Sequence, residues 1–290
     1  MARSHTRQQR PAGRTEAPPR MLSRTPFRVV LISLLLLGGC AGTGAPDGTR
    51  SDAAPAPERL QAHLNLAEGY LQQGDPSRAK LPLQRALEID GRSWQAHDLM
   101  GRIYQREGEA ELAEKHFRLA VRYDGRSSRV RNDYGVFLHE QGRHGDAVEQ
   151  LRRAVADPDN PQRAVAYENL GLASLSAGLR TEARNAFARA VMLDERMARS
   201  LLELAQLAYV DADYEQSAAY YRRFRDLSRQ TPASLWLGIR LARVTGNENA
   251  ESSYALQLRN LYPLSDEYRQ YRESREQQAD GVGRESSADG

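Results

Sequence analysis

The sequence predicts an all-α protein, a right-handed superhelical solenoid of about six helix-turn-helix units. Three observations predict it. A glycine recurs at Gly74, Gly108, Gly142 and Gly178, with spacings of 34, 34 and 36 residues. Around each glycine the same order of small and bulky apolar residues repeats. After the repeats only about 27 residues remain, too few for a second core. A fixed period of roughly 20–50 residues marks stacked supersecondary units, each too small to bury its own apolar face.

Residues 1–39 come first and read as a signal peptide. They carry seven arginines against Glu16, so they hold +6 of a chain whose net charge is +3. The remainder is mildly acidic, at −3, and its composition gives no argument for nucleic-acid binding. The run FRVVLISLLLL, from Phe27 to Leu37, is apolar but shorter than the ~20 residues a spanning helix needs. A basic stretch, a short apolar run and small residues after it describe a secretory signal. A second reading starts translation at Met21, which makes MLSRTPFRVVLISLLLLGGC the signal.

Cys40 is the only cysteine, so no intramolecular disulfide is available. It follows Leu37-Gly38-Gly39, and the four residues resemble the bacterial lipobox. That resemblance implies acylation of the Cys40 thiol, cleavage before it, and acylation of the new amino group. Several acyl chains anchor a protein firmly, at roughly 0.8 kcal/mol per buried CH₂. The plainer alternative is an ordinary signal peptide in which the cysteine falls by chance. Ala41, where an aspartate tends to mean inner-membrane retention, favours the outer membrane. From residue 40 to 57 the chain is rich in Gly, Ala, Pro, Ser and Asp, a flexible tether.

The repeat region runs over 58–265. Seven residues before each turn glycine stands a small residue: Ala67, Gly101, Gly135 and Gly171. Alanine follows five after it, at Ala79, Ala113, Ala147 and Ala183. A bulky residue comes four further on, at Leu83, Phe117, Leu151 and Phe187, and alanine again three beyond that. Small residues let paired helices approach, and the bulky one fills the gap. A 34-residue period with two helices per unit is the signature of tetratricopeptide repeats. Units five and six are degenerate. Their equivalents are Ala205, Ser217 and Tyr221, then Gly238, Ala250 and Tyr254. Pro82 falls inside the second helix of unit one, where it should kink the helix. The longer DPDNPQRA connection at 157–164 and DADYE at 211–215 read as polar turns, since they lack EF-hand order. Residues 266–290 read as a short helical end and a disordered polar tail.

Catalytic constellations are not legible. No metal-binding His/Glu spacing, no GxSxG and no phosphate loop occurs, so no metal site, cofactor or small-molecule substrate is expected. His63 and His97 fall at large packing positions of their units, while His139 points to the inner groove. Repeat arrays of this kind bind along the concave face made by each unit's first helix. Register places Asp98, Arg102 and Arg106 there in unit two, and Asn132, Val136 and His139 in unit three. Unit four contributes Glu168, Leu172 and Leu175, and unit five Leu202, Gln206 and Tyr209. The early part is polar and the later part more apolar, a groove suited to an extended or helical segment of another protein.

Four segments are more specific than the repeat. They are RNDYGVFLHEQGRHGDAVEQL (131–151), AYENLGLASL (166–175), SLWLGIRLAR (234–243) and YALQLRNLYPLSDEYRQY (254–271). Together they resemble the PilF/PilW family, the type IV pilus biogenesis and stability lipoproteins that act as pilotins. The resemblance covers about 60–270. It implies six all-helical repeats at the periplasmic face of the outer membrane. It also implies a partner, the pilus secretin, whose outer-membrane localisation and multimerisation the protein promotes, and no reaction or cofactor. Departures are Arg131-Asn132-Asp133, where the family's tandem asparagines are shifted by one, and His139 and Ala173, where some members carry cysteines. A different scaffold fits composition and repeats equally well: an outer-membrane repeat lipoprotein serving cell-wall hydrolases or outer-membrane protein assembly.

Overall fold

The computed structural model describes residues 55–288, with side chains to residue 277. Among the described residues all regular structure is helical. Unit one pairs α1 (Ala56–Gln72) with α2 (Pro76–Ile89), and unit two pairs α3 (Trp94–Glu107) with α4 (Ala110–Tyr123). Unit three is α5 (Ser128–Glu140) and α6 (His144–Ala156), and unit four is α7 (Arg163–Ser176) and α8 (Arg180–Leu193). Unit five is α9 (Ala198–Val210) and α10 (Tyr214–Leu227), and unit six is α11 (Pro232–Val244) and α12 (Glu248–Leu261). A last helix, α13 (Asp266–Ala288), follows. Each helix packs on the next, and successive first helices touch, which makes a tetratricopeptide solenoid.

The turns explain the recurring glycine. Gly74, Gly108, Gly142 and Gly178 have φ between 75° and 79°, a left-handed conformation that an L side chain resists. Unit six repeats this at Gly246, with φ 67°. Unit five has Ala212 instead, at φ 61°, so the frame is kept there against backbone strain.

The small-to-bulky register explains how the layers lock. A Cβ on Gly101 would stand 2.9 Å from the Phe117 ring. On Gly135 it would stand 2.6 Å from Leu151, and on Gly171 2.5 Å from Phe187. Phe117, Leu151 and Phe187 are buried to 1% exposure or less, so these pairs form the continuous core. In the degenerate units Ser217 takes the alanine place and donates to the Ala205 carbonyl at 2.7 Å. Tyr221 of α10 packs over Gly238 of α11 together with Tyr254.

α2 runs through Pro82, which is buried. One expectation changes. The chain does not close on a short helical end: α13 is 23 residues long and sets Tyr271 against Trp236 of α11, with Tyr268 stacked on Tyr271 at the same cluster.

Candidate partner-binding groove

The first helices α1, α3, α5, α7 and α9 line the inner face, and their side chains enclose three connected hollows. The largest, about 700 Å³, lies between α1, α3, α5 and the α6–α7 connection. Its floor carries Glu68, Arg102, Arg106, Arg129 and Asp133, and Asn160 to Gln162 form one wall. The next, about 420 Å³, continues over Arg102, Arg106, Asp133 and Val136. A third, about 280 Å³, is lined by Val136, His139, Leu172 and Arg199.

Ion pairs stitch the first three units under this floor. Arg129 of α5 lies 3.4 Å from Glu68 of α1 and 3.6 Å from Asp98 of α3. Arg102 lies 3.8 Å from Asp133. Asp98 is fully buried, and neither carboxylate oxygen has a hydrogen-bond partner among the described residues. Burial first, then the charge of Asp133, pushes the Asp98 carboxyl up to about 7, against the pull of Arg129 and Arg102.

The groove residues expected from register divide three ways. Arg102, Arg106, Val136, His139 and Leu172 line the hollows. Asn132 and Glu168 are half-buried and already engaged: Asn132 accepts from Asn169 at 2.9 Å, and Glu168 accepts from the Ser200 hydroxyl at 2.7 Å. Asp98 and Leu202 are corrections, because both are buried and present no surface. Leu175 and Tyr209 also pack against the core of units four to six, and Gln206 is half-buried. Arg240 stacks over Tyr209 at 4.5 Å and over Trp236 at 5.5 Å, which fills the late end of the groove. Of the apolar later half foreseen in the sequence, Leu172 lines a hollow, Leu202 is interior, and Leu175 and Tyr209 are half-buried against the core.

The histidines pair. His97 is buried, with Nδ1 3.0 Å from Nδ1 of His116, and burial with His97 lowers His116 to about 4. His139 lies beside His144 across the Gly142 turn, Nδ1 to Nδ1 3.1 Å, and burial lowers it. His63 is half-buried and lines a surface cleft rather than the interior.

Two features escaped the sequence reading. The polar connection at 157–164 is a groove wall, held by Asn160, whose amide donates to the Ala154 carbonyl and whose oxygen accepts from Gln162 N. Its signal was the 36-residue spacing. The second is a cleft of about 590 Å³ on unit one, lined by His63, Leu66, Tyr70, Leu81 and Pro82. Leu66 and Leu81 are 47% and 61% exposed there. Apolar residues outside the repeat's own register were its only sign.

The tetratricopeptide repeat family matches residues 99–161 and 168–234. Over 246 residues the chain is 38% identical to the type IV pilus assembly protein PilF of Pseudomonas aeruginosa, spanning 84% of this chain and 97% of that one. The chain belongs to the PilF/PilW family of type IV pilus repeat proteins. A solved structure from the functional characterisation of Pseudomonas aeruginosa PilF superposes with a TM-score of 0.73 at 39% identity. It covers 76% of this chain and 99% of that one. The crystal structure of PilW, a type IV pilus biogenesis factor, shares the fold with a TM-score of 0.64 at 24% identity, covering 73% and 97%. The family segment SLWLGIRLAR is α11, and its residues carry the Trp236–Arg240 stack and the Arg243 bond to Ser274 of α13. Cys40, the signal residues and most of the tether lie outside the described residues. Among the described residues no helix is long and apolar enough to cross a membrane.

Proposed function

We propose that this protein is an outer-membrane lipoprotein that binds the pilus secretin and promotes its localisation and multimerisation during type IV pilus biogenesis. The observation that carries the reading is the 38% identity running along nearly the whole length of a type IV pilus assembly protein. Acyl chains on Cys40 anchor the chain at the periplasmic face, and the 41–57 tether gives it reach. The open groove of the early units holds a secretin segment, and the apolar cleft of unit one gives a second contact for exposed leucines to bury. Tethering raises the local secretin concentration at the membrane without further contacts. No chemistry is asked of the protein: it acts as a non-enzymatic scaffold, without a cofactor.

The test is the amount of heat- and detergent-resistant secretin ring in isolated outer membranes, with and without the gene. Loss of rings with secretin monomer still present is the expected result. Unchanged rings overturn the reading and point to wall hydrolases or outer-membrane assembly as clients. A Cys40→Ala chain that still localises rings normally defeats the anchoring part alone.

A further inference from the structure

We infer that the groove takes an internal, acidic, extended segment, read through carboxylates against Arg106 and Arg199. The inference rests on the groove being the partner site and names the chemistry of what enters it.

Most of the groove's acids are withdrawn from the surface or paired with arginine. Asp98 is fully buried, Asp133 pairs with Arg102 and Glu68 with Arg129, and half-buried Glu168 accepts from Ser200. Glu140 is the exposed exception, accepting from the neutral Gln105 amide. Two arginines remain. Arg106 of α3 lines the two larger hollows, and Arg199 of α9 lines the third; both are exposed. Neither has a carboxylate within ion-pair distance among the described residues, although Glu203 stands one turn from Arg199 and is half-buried. Arg106 and Arg199 are therefore the groove's exposed cations outside its ion pairs, facing solvent over acids that are mostly recessed or paired, an arrangement that attracts acids.

The two arginines are three first helices apart, α3 to α9. Packed helices sit ~8–10 Å apart and an extended chain advances ~3.3 Å per residue. Both sites are then met by one segment with carboxylates roughly eight residues apart. That separation excludes a single chain-terminal carboxylate as the whole signal. Guanidinium groups hold carboxylates in bidentate fashion, so arginine suits the role better than lysine.

The experiment is fluorescence anisotropy on the full-length protein in detergent, with a fluorescein-labelled peptide of about twelve residues alternating Glu and Gly. Peptides alternating Gln and Gly, or Lys and Gly, serve as controls. The Glu peptide binds and the controls do not, and raising salt from about 50 to about 500 mM weakens it. Arg106→Glu with Arg199→Glu lowers affinity at least about tenfold. The Arg106→Gln, Arg199→Gln pair lowers it less and covers the case of a poorly folded reversal. Arg118→Glu, on α4 outside the groove, leaves it unchanged. Glu-peptide binding no tighter than Gln-peptide binding, or insensitive to the double reversal, overturns the inference. Acidic-peptide binding in a protein whose deletion leaves secretin rings intact sinks the secretin reading alone. Rings that need the gene, with no acidic preference, sink this inference alone.

Discussion

The inner surface of the first four units and that of the last two share one repeat frame and come out different. From α1 to the start of α9 the surface is open, and its floor is a set of charge pairs crossing from unit to unit. Beyond Arg199 the same helix faces carry Leu202 and Tyr209, packed in the core of the late units, and Arg240, stacked over Tyr209 and Trp236, with Trp236 against Tyr271 of α13. The frame therefore decides the fold, and the residues projecting inward decide whether a unit offers a surface or spends it on stability. The open part keeps a solvent-facing surface, and the closed part holds the solenoid's end together.

That contrast can be broken by mutation. Leu202→Ala, in the closed part, should cost ~2–5 kcal/mol, because it removes a side chain only 8% exposed. A melt that stays at the wild-type temperature would show that the late surface is not core. Arg102→Ala, in the open part, should shift stability by no more than ~1 kcal/mol, since its pair with Asp133 is partly solvated and loose at 3.8 Å.

Asp98 sharpens the comparison through pH. Its folded carboxyl sits near 7 against a reference of 3.8, so the folded state holds the proton more tightly. Stability from this group is complete below the reference value and is lost as pH rises towards the folded value. Asp98→Asn should therefore raise the melting temperature more at pH 8 than at pH 4.5. An equal shift at both pH values would mean that Arg129 compensates the charge fully. His116, lowered to about 4, acts in the opposite sense: its stabilising effect fades as pH falls from its reference of 6.5 towards 4.

A comparably small effect concerns the turns. Ala212 at φ 61° stands where five other units place glycine. Ala212→Gly should stabilise unit five by ~1 kcal/mol, as the left-handed penalty of a Cβ disappears. Gly142→Ala should destabilise unit three by a similar amount. A destabilised Ala212→Gly protein would show that the methyl group packs usefully enough to outweigh its strain.

Much of this was legible in the sequence, and the reason is periodicity. Gly101 with Phe117 and Gly171 with Phe187 recur because one packing solution is stacked again and again. Which residues face inward followed from the same register, so Arg102, Arg106 and Val136 were readable as groove residues. Depth was not. Asp98 and Arg102 share a helix face one turn apart, yet only Asp98 is buried, because side chains of the neighbouring units close over it. Leu202 is covered for the same reason. The wall at Asn160 depends on a backbone path that two extra residues merely hint at. The reach of α13 was hidden by its polar composition, since only Tyr268 and Tyr271 mark its docked face.

The central claim is that the open early groove engages the partner while the closed end only supports it. The most direct measurement is secretin-ring yield in outer membranes of a deletion strain carrying one of three proteins: wild type, Arg102→Glu with Arg106→Glu, or Gln206→Glu. With all three folded and present at equal levels, the account predicts full rings for wild type and Gln206→Glu, and loss of rings for the early-groove pair. Full rings with the early-groove pair, or loss with Gln206→Glu alone, would contradict it.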